Sequence, residues 1–136
     1  MGVVYHAHYL DYFEYGRTEA LRQLGVPYKD VEAAGIIMPV VDLSVKYKRP
    51  AKYDDTLEIV TNLGHETPTI KVPITYEVFR QSDDELIVTG LVTLCCVDAA
   101  TGKPVLVPAL IADAFTRALA DGDEGRQLGE SRIVEL

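Results

Sequence analysis

Two stretches decide the fold: residues 9–24, YLDYFEYGRTEALRQL, and residues 41–47, VDLSVKY. In the first, apolar residues recur every three or four positions, which predicts an amphipathic helix that Gly25 and Pro27 end. In the second, apolar and polar residues alternate, which predicts a strand with one buried face. The period of the pattern therefore changes from helical to extended near Gly35.

Further strands follow this change of period. Alternation predicts strands within residues 57–63 and 70–78, and a turn leads into residues 86–98, whose apolar residues on both faces place that strand inside the sheet. A short strand at residues 104–107 and a helix with Pro108 in its first turn complete the order.

One long helix followed by consecutive strands requires no crossover helix, so the sequence predicts an α+β domain with an antiparallel sheet. Strands of about 10 residues, or roughly 33 Å, are longer than a helix of roughly 24 Å, so the sheet can curl around it. We therefore expect Leu10, Phe13, Leu21 and Leu24 to be buried. The edges of such a sheet need protection, which predicts a homo-oligomer.

Composition limits the possible functions. The chain has 136 residues and a net charge of −8, so we expect one domain over residues 1–120 and no nucleic-acid partner. Residues 121–136 are acidic and rich in glycine, which predicts a solvated or loosely packed tail. No apolar run reaches the roughly 20 residues of a transmembrane helix, and no signal peptide opens the chain, which predicts a cytoplasmic protein. Cys95 and Cys96 are adjacent, which favours two small core residues over a disulfide.

The start of the chain carries a resemblance. The 4-hydroxybenzoyl-CoA thioesterase family of hotdog proteins resembles this chain at residues 2–10, GVVYHAHYL, and at Tyr12-Phe13-Glu14, Arg17, Tyr47, Pro50-Ala51, Tyr53-Asp54-Asp55, Leu57 and residues 102–108. The resemblance implies five antiparallel strands around a central helix, dimers or dimers of dimers with sites between subunits, and hydrolysis of an acyl thioester.

The resemblance also implies a catalytic aspartate shortly before the segment that matches Gly2. In the family a first strand precedes this aspartate, and the given sequence begins after both. Three explanations stay open: a start assigned downstream of the true one, which the intact remainder favours, a loss of hydrolytic activity, or another carboxylate in the same role.

Candidate catalytic residues lie around the first turn of the long helix. Its free backbone N–H groups, from Tyr5 onward, can stabilise an oxyanion, and His6 could orient the thioester or a water. Asp11 and Glu14, three residues apart, could supply the base. The alternatives are an interface histidine and a solvated helix face on which Glu14 pairs with Arg17.

Candidate substrate-binding residues form two groups. Val4, Tyr9 and Phe13 could contact the acyl group, although core packing explains such aromatics equally well. Lys48, Arg49 and Lys52 could bind the phosphates of CoA or of an acyl carrier protein's phosphopantetheine, or could be a solvated strand end.

Other chemistry finds no support in the sequence. There is no Gly-x-Ser-x-Gly elbow and no phosphate-binding glycine loop, and His6-x-His8 has no third ligand at metal-binding spacing, so we expect neither metal nor cofactor. The sequence predicts a thioesterase for small or medium acyl-CoA or acyl carrier protein thioesters. A non-catalytic acyl-thioester binding protein and a hotdog hydratase or dehydratase are the alternatives.

Overall fold

The computed structural model describes residues 6–121 and 128–135. The elements within them follow in this order: α1 (His6–Gln23), α2 (Tyr28–Ala33), β1 (Ile36–Ile37), β2 (Val40–Tyr47), β3 (Thr56–Gly64), β4 (Lys71–Arg80), β5 (Glu85–Cys95), β6 (Val97–Asp98), α3 (Ala109–Asp121) and β7 (Leu128–Glu135).

The main sheet has five strands in the order β2-β5-β4-β3-β7, and every neighbouring pair is antiparallel. Strands β1 and β6 form a separate two-stranded sheet. The predicted α+β class is confirmed, and β5 lies inside the sheet because both of its faces carry apolar residues.

Helix α1 lies close against one face of this sheet. A Cβ on Gly16 would collide with the Thr61 hydroxyl on β3, and a Cβ on Gly90 of β5 would lie 2.7 Å from the ring of Phe13. The two glycines therefore permit a close approach that larger residues would block. Phe13 is 1% exposed, and the burial of such a ring stabilises the fold by roughly 1.5–3 kcal/mol.

Two predictions of burial on α1 are wrong. Leu10 is 38% exposed and Leu24 is only partly buried, whereas Tyr9, Phe13 and Ala20 form the buried face. At about 100° per residue, Leu10 lies roughly a quarter turn away from that face. It lies on the same flank of α1 as Glu14 and Arg17.

Two further predictions fail at the carboxyl-terminal end. Residues 104–107 form no strand but a single bridge between Val97 and Pro104, and further along the chain the N–H of Val107 donates to the carbonyl of Thr69 instead of to β6. The tail was expected to be loosely packed, yet Leu128–Glu135 pairs with β3 along its length, since an unpaired strand edge is a template for another strand.

Strand β2 is the other edge of the sheet, and its side chains are exposed over almost its whole length. Val40, Val41, Leu43 and Tyr47 are between 43% and 51% exposed in this chain. Among the described residues, no helix is long and apolar enough to cross a membrane.

Candidate active site

The beginning of α1 and the end of β2 meet at one end of the sheet. The ring of Tyr9 lies 6.0 Å from that of Tyr47, the last residue of β2, and 6.1 Å from that of Tyr12. Beyond Tyr47, the N–H groups of Lys48 and Arg49 both donate to the carbonyl of Ile87, which fixes the chain there. The structure thus brings the start of α1 and the cations after β2 to the same place.

Tyr9 is a neutral phenol at this end of the sheet. Burial raises the pKa of Tyr9 to about 12, with smaller contributions from the neighbouring Tyr12 and Tyr47. Its side chain is 2% exposed. Tyr9 can therefore pack and donate a hydrogen bond, but it cannot serve as a base at neutral pH.

The cationic side chains after β2 differ in whether they form an ion pair with a carboxylate. Arg49 donates to Glu85 at 3.1 Å, although the side chain of Arg49 is 64% exposed. Within the described part of the chain, no carboxylate lies within 4.0 Å of the ammonium groups of Lys48 or Lys52. An incoming phosphate could bind these two lysines without first breaking an ion pair.

Arg80 stabilises the loop that follows β2 and carries these cations. Its guanidinium donates to the carbonyl of Pro50 at 2.8 Å and to Asp83 at 2.9 Å, and it lies 3.4 Å from Asp55. Asp55 in turn accepts the backbone N–H of Lys52 at 2.8 Å. Arg80, which sequence reasoning missed, therefore holds the loop that carries Lys52.

The two helix carboxylates lie in different surroundings. Asp11 is exposed on the outward side of α1. Glu14 is also exposed, but it lines a cavity of about 330 Å³ between α1, α2 and the beginning of β2. The expected ion pair between Glu14 and Arg17 does not form, since no described carboxylate lies within 4.0 Å of Arg17.

The same cavity is lined by residues that the sequence analysis did not propose as site residues. Arg17 and Thr18 share its wall with Tyr28 of α2, and the remaining lining is apolar: Leu21, Met38, Pro39, Val40 and Leu94. The helical spacing of Leu10, Glu14, Arg17 and Leu21 was the available signal, because the four fall on one flank of α1.

Arg17 also acts on a buried tyrosine beneath α1. Burial raises the pKa of Tyr76 to about 12, and the guanidinium of Arg17 partly opposes this rise. Tyr76 is 1% exposed, so Arg17 has a buried hydroxyl on its inner side and the cavity on the other.

The remaining predicted site residues are less informative. Val4 and Tyr5 lie outside the described residues, and His6 begins α1 with a side chain that is likewise outside the description. Phe13 stacks on Tyr76 in the core, so its ring belongs to the packing between helix and sheet. The described residues contain no group of three His, Cys, Asp or Glu side chains that could hold a metal.

A single helix held against the face of a five-stranded antiparallel sheet, with a candidate site at the helix start, defines a hotdog-fold domain. Residues 1–115 match the thioesterase-like superfamily, and the chain belongs to this family.

Individual relatives agree with this membership. The chain is 35% identical over 105 residues to the putative acyl-CoA thioesterase YneP of Bacillus subtilis, covering 77% of this chain and 75% of that protein. It is 33% identical to the acyl-CoA thioester hydrolase YbgC of Escherichia coli over 84% of each chain. A crystal structure of DHNA-CoA thioesterase from Staphylococcus aureus superposes with a TM-score of 0.79 at 33% identity, covering 93% of this chain and 85% of that one.

Proposed function

We propose that this protein is an acyl-CoA thioesterase, which hydrolyses an acyl thioester to a free acid and a thiol. The observation that carries the proposal is the meeting of the α1 start with the exposed cations Lys48 and Lys52 after β2. Hydrogen-bond donors for a thioester and cations for phosphates then lie at one end of the sheet. The relatives named as acyl-CoA thioesterases support the same reaction.

The proposed reaction begins when water attacks the thioester carbonyl carbon. The carbonyl oxygen becomes an oxyanion, which free N–H groups in the first turn of α1 stabilise. The carbon–sulfur bond then breaks, the acid leaves, and the thiolate takes up the proton that the water lost. We assign to Tyr5 and His6 a role at the reacting group, with His6 orienting the thioester or the water, and to Val4 and Tyr9 a role in binding the acyl group.

The base that activates the water must lie close to the first turn of α1. Asp11 and Glu14 lie about 7.5 Å and about 12 Å from His6 along the helix axis, whereas a base must come within hydrogen-bond reach of its water. An aspartate ahead of Gly2, as the family resemblance implies, would fit the first turn better than either. Asp11 and Glu14 are the alternatives that mutagenesis separates.

The proposal includes a homodimer, alone or as half of a dimer of dimers. Among the described strands, the edge strand β2 has a neighbour on one side only, and it exposes Val40, Val41 and Leu43. Pairing with a second copy would bury these side chains and protect the edge. It would also place a second subunit beside the flank of α1 that carries Glu14 and Arg17.

The test is thiol release from a panel of short, aromatic and medium-chain acyl-CoAs, with the matching acyl carrier protein thioesters in parallel. Turnover of any of them supports a thioesterase, and the preferred carrier identifies the thiol. Tight acyl-CoA binding without turnover would favour the binding protein instead, and hydration of an enoyl-CoA would favour the hydratase. The cytoplasmic location expected from the sequence stays a prediction.

A further inference from the structure

Exposed apolar side chains lie beside the loop between β3 and β4. The N–H of Val107 donates to the carbonyl of Thr69 at 2.9 Å, which brings Leu106 beside Ile70. Leu106 is 70% exposed and Ile70 is 60% exposed, the two largest fractions among the large apolar side chains of the described residues. Leu110, in the first turn of α3, is 38% exposed. These three side chains form an apolar patch, a feature that marks interaction surfaces.

The backbone beneath the apolar patch is anchored. The hydroxyls of Thr67 and Thr116 lie 3.1 Å apart, which ties the loop after β3 to α3. Val107 is 9% exposed and Ile111 is fully buried, so the segment that carries Leu106 is held in the core. A partner that covers the patch therefore has little backbone to order, which lowers the cost of binding.

The two segments that carry the apolar patch are free of charge. Residues 67–70, TPTI, and residues 104–112, PVLVPALIA, contain no charged residue, in a chain of which 25% is charged. Each segment is flanked by one cation and one carboxylate, all of them exposed: Lys71, Lys103, Glu66 and Asp113. An uncharged centre with a polar rim is the usual composition of a protein–protein interface.

The charge distribution favours a second copy of this chain as the partner. Two copies with a net charge of −8 repel each other, and the repulsion is smallest where both surfaces are uncharged. In a two-fold contact the same patch meets itself, and a rim of both signs can pair with its own copy. A partner of opposite charge would instead bind the acidic remainder of the surface.

We propose that the apolar patch binds the apolar patch of a second copy and thereby joins two β2 dimers into a tetramer. The inference rests on the β2 dimer that is included in the proposed function. The patch adjoins the start of β4, and β5 lies between β4 and β2, so the patch is separate from the β2 edge.

One patch contact is weak by itself. Three side chains cover less than the roughly 800 Å² per partner of a standard interface. In a dimer of dimers with perpendicular two-fold axes, each interface occurs twice, so two patch contacts form together. The second contact forms at a high effective concentration, which stabilises the tetramer without any new kind of contact.

Sedimentation velocity of the full chain at micromolar concentrations tests the proposal. The wild type should be a tetramer. Leu106→Glu and Ile70→Glu should each leave a dimer and raise the dissociation constant of the tetramer by roughly 100-fold or more, because every patch contact would then bury two new carboxylates. Leu43→Glu should be a monomer, since a single patch contact cannot hold two copies together.

Ile133→Glu is the matched control, because this side chain is 52% exposed and lies on β7, outside the patch. This variant should stay tetrameric. All substituted side chains are exposed, so their urea midpoints should match the wild type. The tetramer should also persist at high salt, where a contact held by ion pairs would dissociate.

The outcomes separate the patch from the β2 dimer. A wild type that stays dimeric, or a tetramer that Leu106→Glu leaves intact, overturns the inference while the β2 dimer stands. A pair of copies that Leu106→Glu separates and Leu43→Glu does not would support the patch and contradict the β2 dimer. A monomeric wild type overturns both.

Discussion

The ring of Phe13 on α1 stacks on the ring of Tyr76 on β4, with centroids 4.2 Å apart and planes inclined by 18°. Directly opposite Tyr76 in the sheet is Gly90 of β5, whose missing side chain leaves the space into which the Phe13 ring extends. The position of α1 on the sheet thus depends on the Phe13–Tyr76 pair and on Gly90. Because α1 also carries Glu14 and Arg17, its position on the sheet determines where the cavity lined by these two residues lies.

Gly90→Ala should destabilise the protein by about 1–3 kcal/mol, because the new Cβ would lie 2.7 Å from the Phe13 ring and would displace it from Tyr76. Urea unfolding followed by circular dichroism measures the change. In a Phe13→Leu background the smaller side chain should make the same substitution less costly. An equal cost in both backgrounds would show that the ring does not decide the tolerance at position 90.

Leu43→Glu should convert the proposed dimer into a monomer, because it places a charge in the middle of the exposed edge strand β2. Light scattering after size-exclusion chromatography reports the mass. Leu106→Glu, at a side chain that is 70% exposed and does not belong to β2, is the matched control and should stay dimeric. A wild-type protein that is monomeric at micromolar concentration would contradict the dimer itself.

Lys48→Ala combined with Arg49→Ala should raise KM for acyl-CoA by roughly 10-fold with little change in kcat, because phosphate contacts stabilise the bound substrate and the transition state alike. The increase should be largest at low salt. Lys103→Ala combined with Arg117→Ala removes the same charge elsewhere on the exposed surface and serves as the control. Equal KM values for the two double variants at low salt would mean that the cations after β2 are only a solvated strand end.

Glu19→Gln should lower stability at neutral pH but not in acid. Hydrogen bonding from Arg22, with Arg132 at 2.6 Å as a further partner, holds the pKa of Glu19 below its ordinary value of 4.5. A lowered pKa in the folded state contributes stability that is present above about pH 4.5 and is lost as the pH falls through the folded-state value. Urea midpoints of wild type and variant should therefore differ at pH 7 and converge near pH 3.

The matched control for this pH dependence is Glu66→Gln, at an exposed position in the loop after β3. Arg132 also lies over the ring of Tyr15 at 5.6 Å, so Glu19 and Tyr15 both fasten β7 to α1. A difference between wild type and Glu19→Gln that persists unchanged at pH 3 would show that the carboxylate charge is not the cause.

The helix α1 and strands β2 to β5 were predictable because their apolar residues repeat with a clear local period. Strand β7 was not, since its sequence contains Gly129 and several polar residues, and it extends only because the edge of β3 offers it a partner. The cavity beside Arg17 could not be predicted from the sequence for a similar reason. It is completed by Met38 and Leu94, which long-range packing brings to α1 and no local pattern encodes.

The final prediction concerns the base. Asp11→Asn and Glu14→Gln should each change kcat for octanoyl-CoA by less than about 3-fold, because neither carboxylate reaches the first turn of α1, and loss of a true general base typically costs 10²- to 10⁴-fold. His6→Ala should lower kcat by more than either, since it misplaces the thioester or its water. The assay is thiol release with each variant at saturating substrate. If Asp11→Asn or Glu14→Gln abolishes turnover while acyl-CoA still binds, that helix carboxylate is the base, and the thioester must then lie along the side of α1 rather than at its first turn.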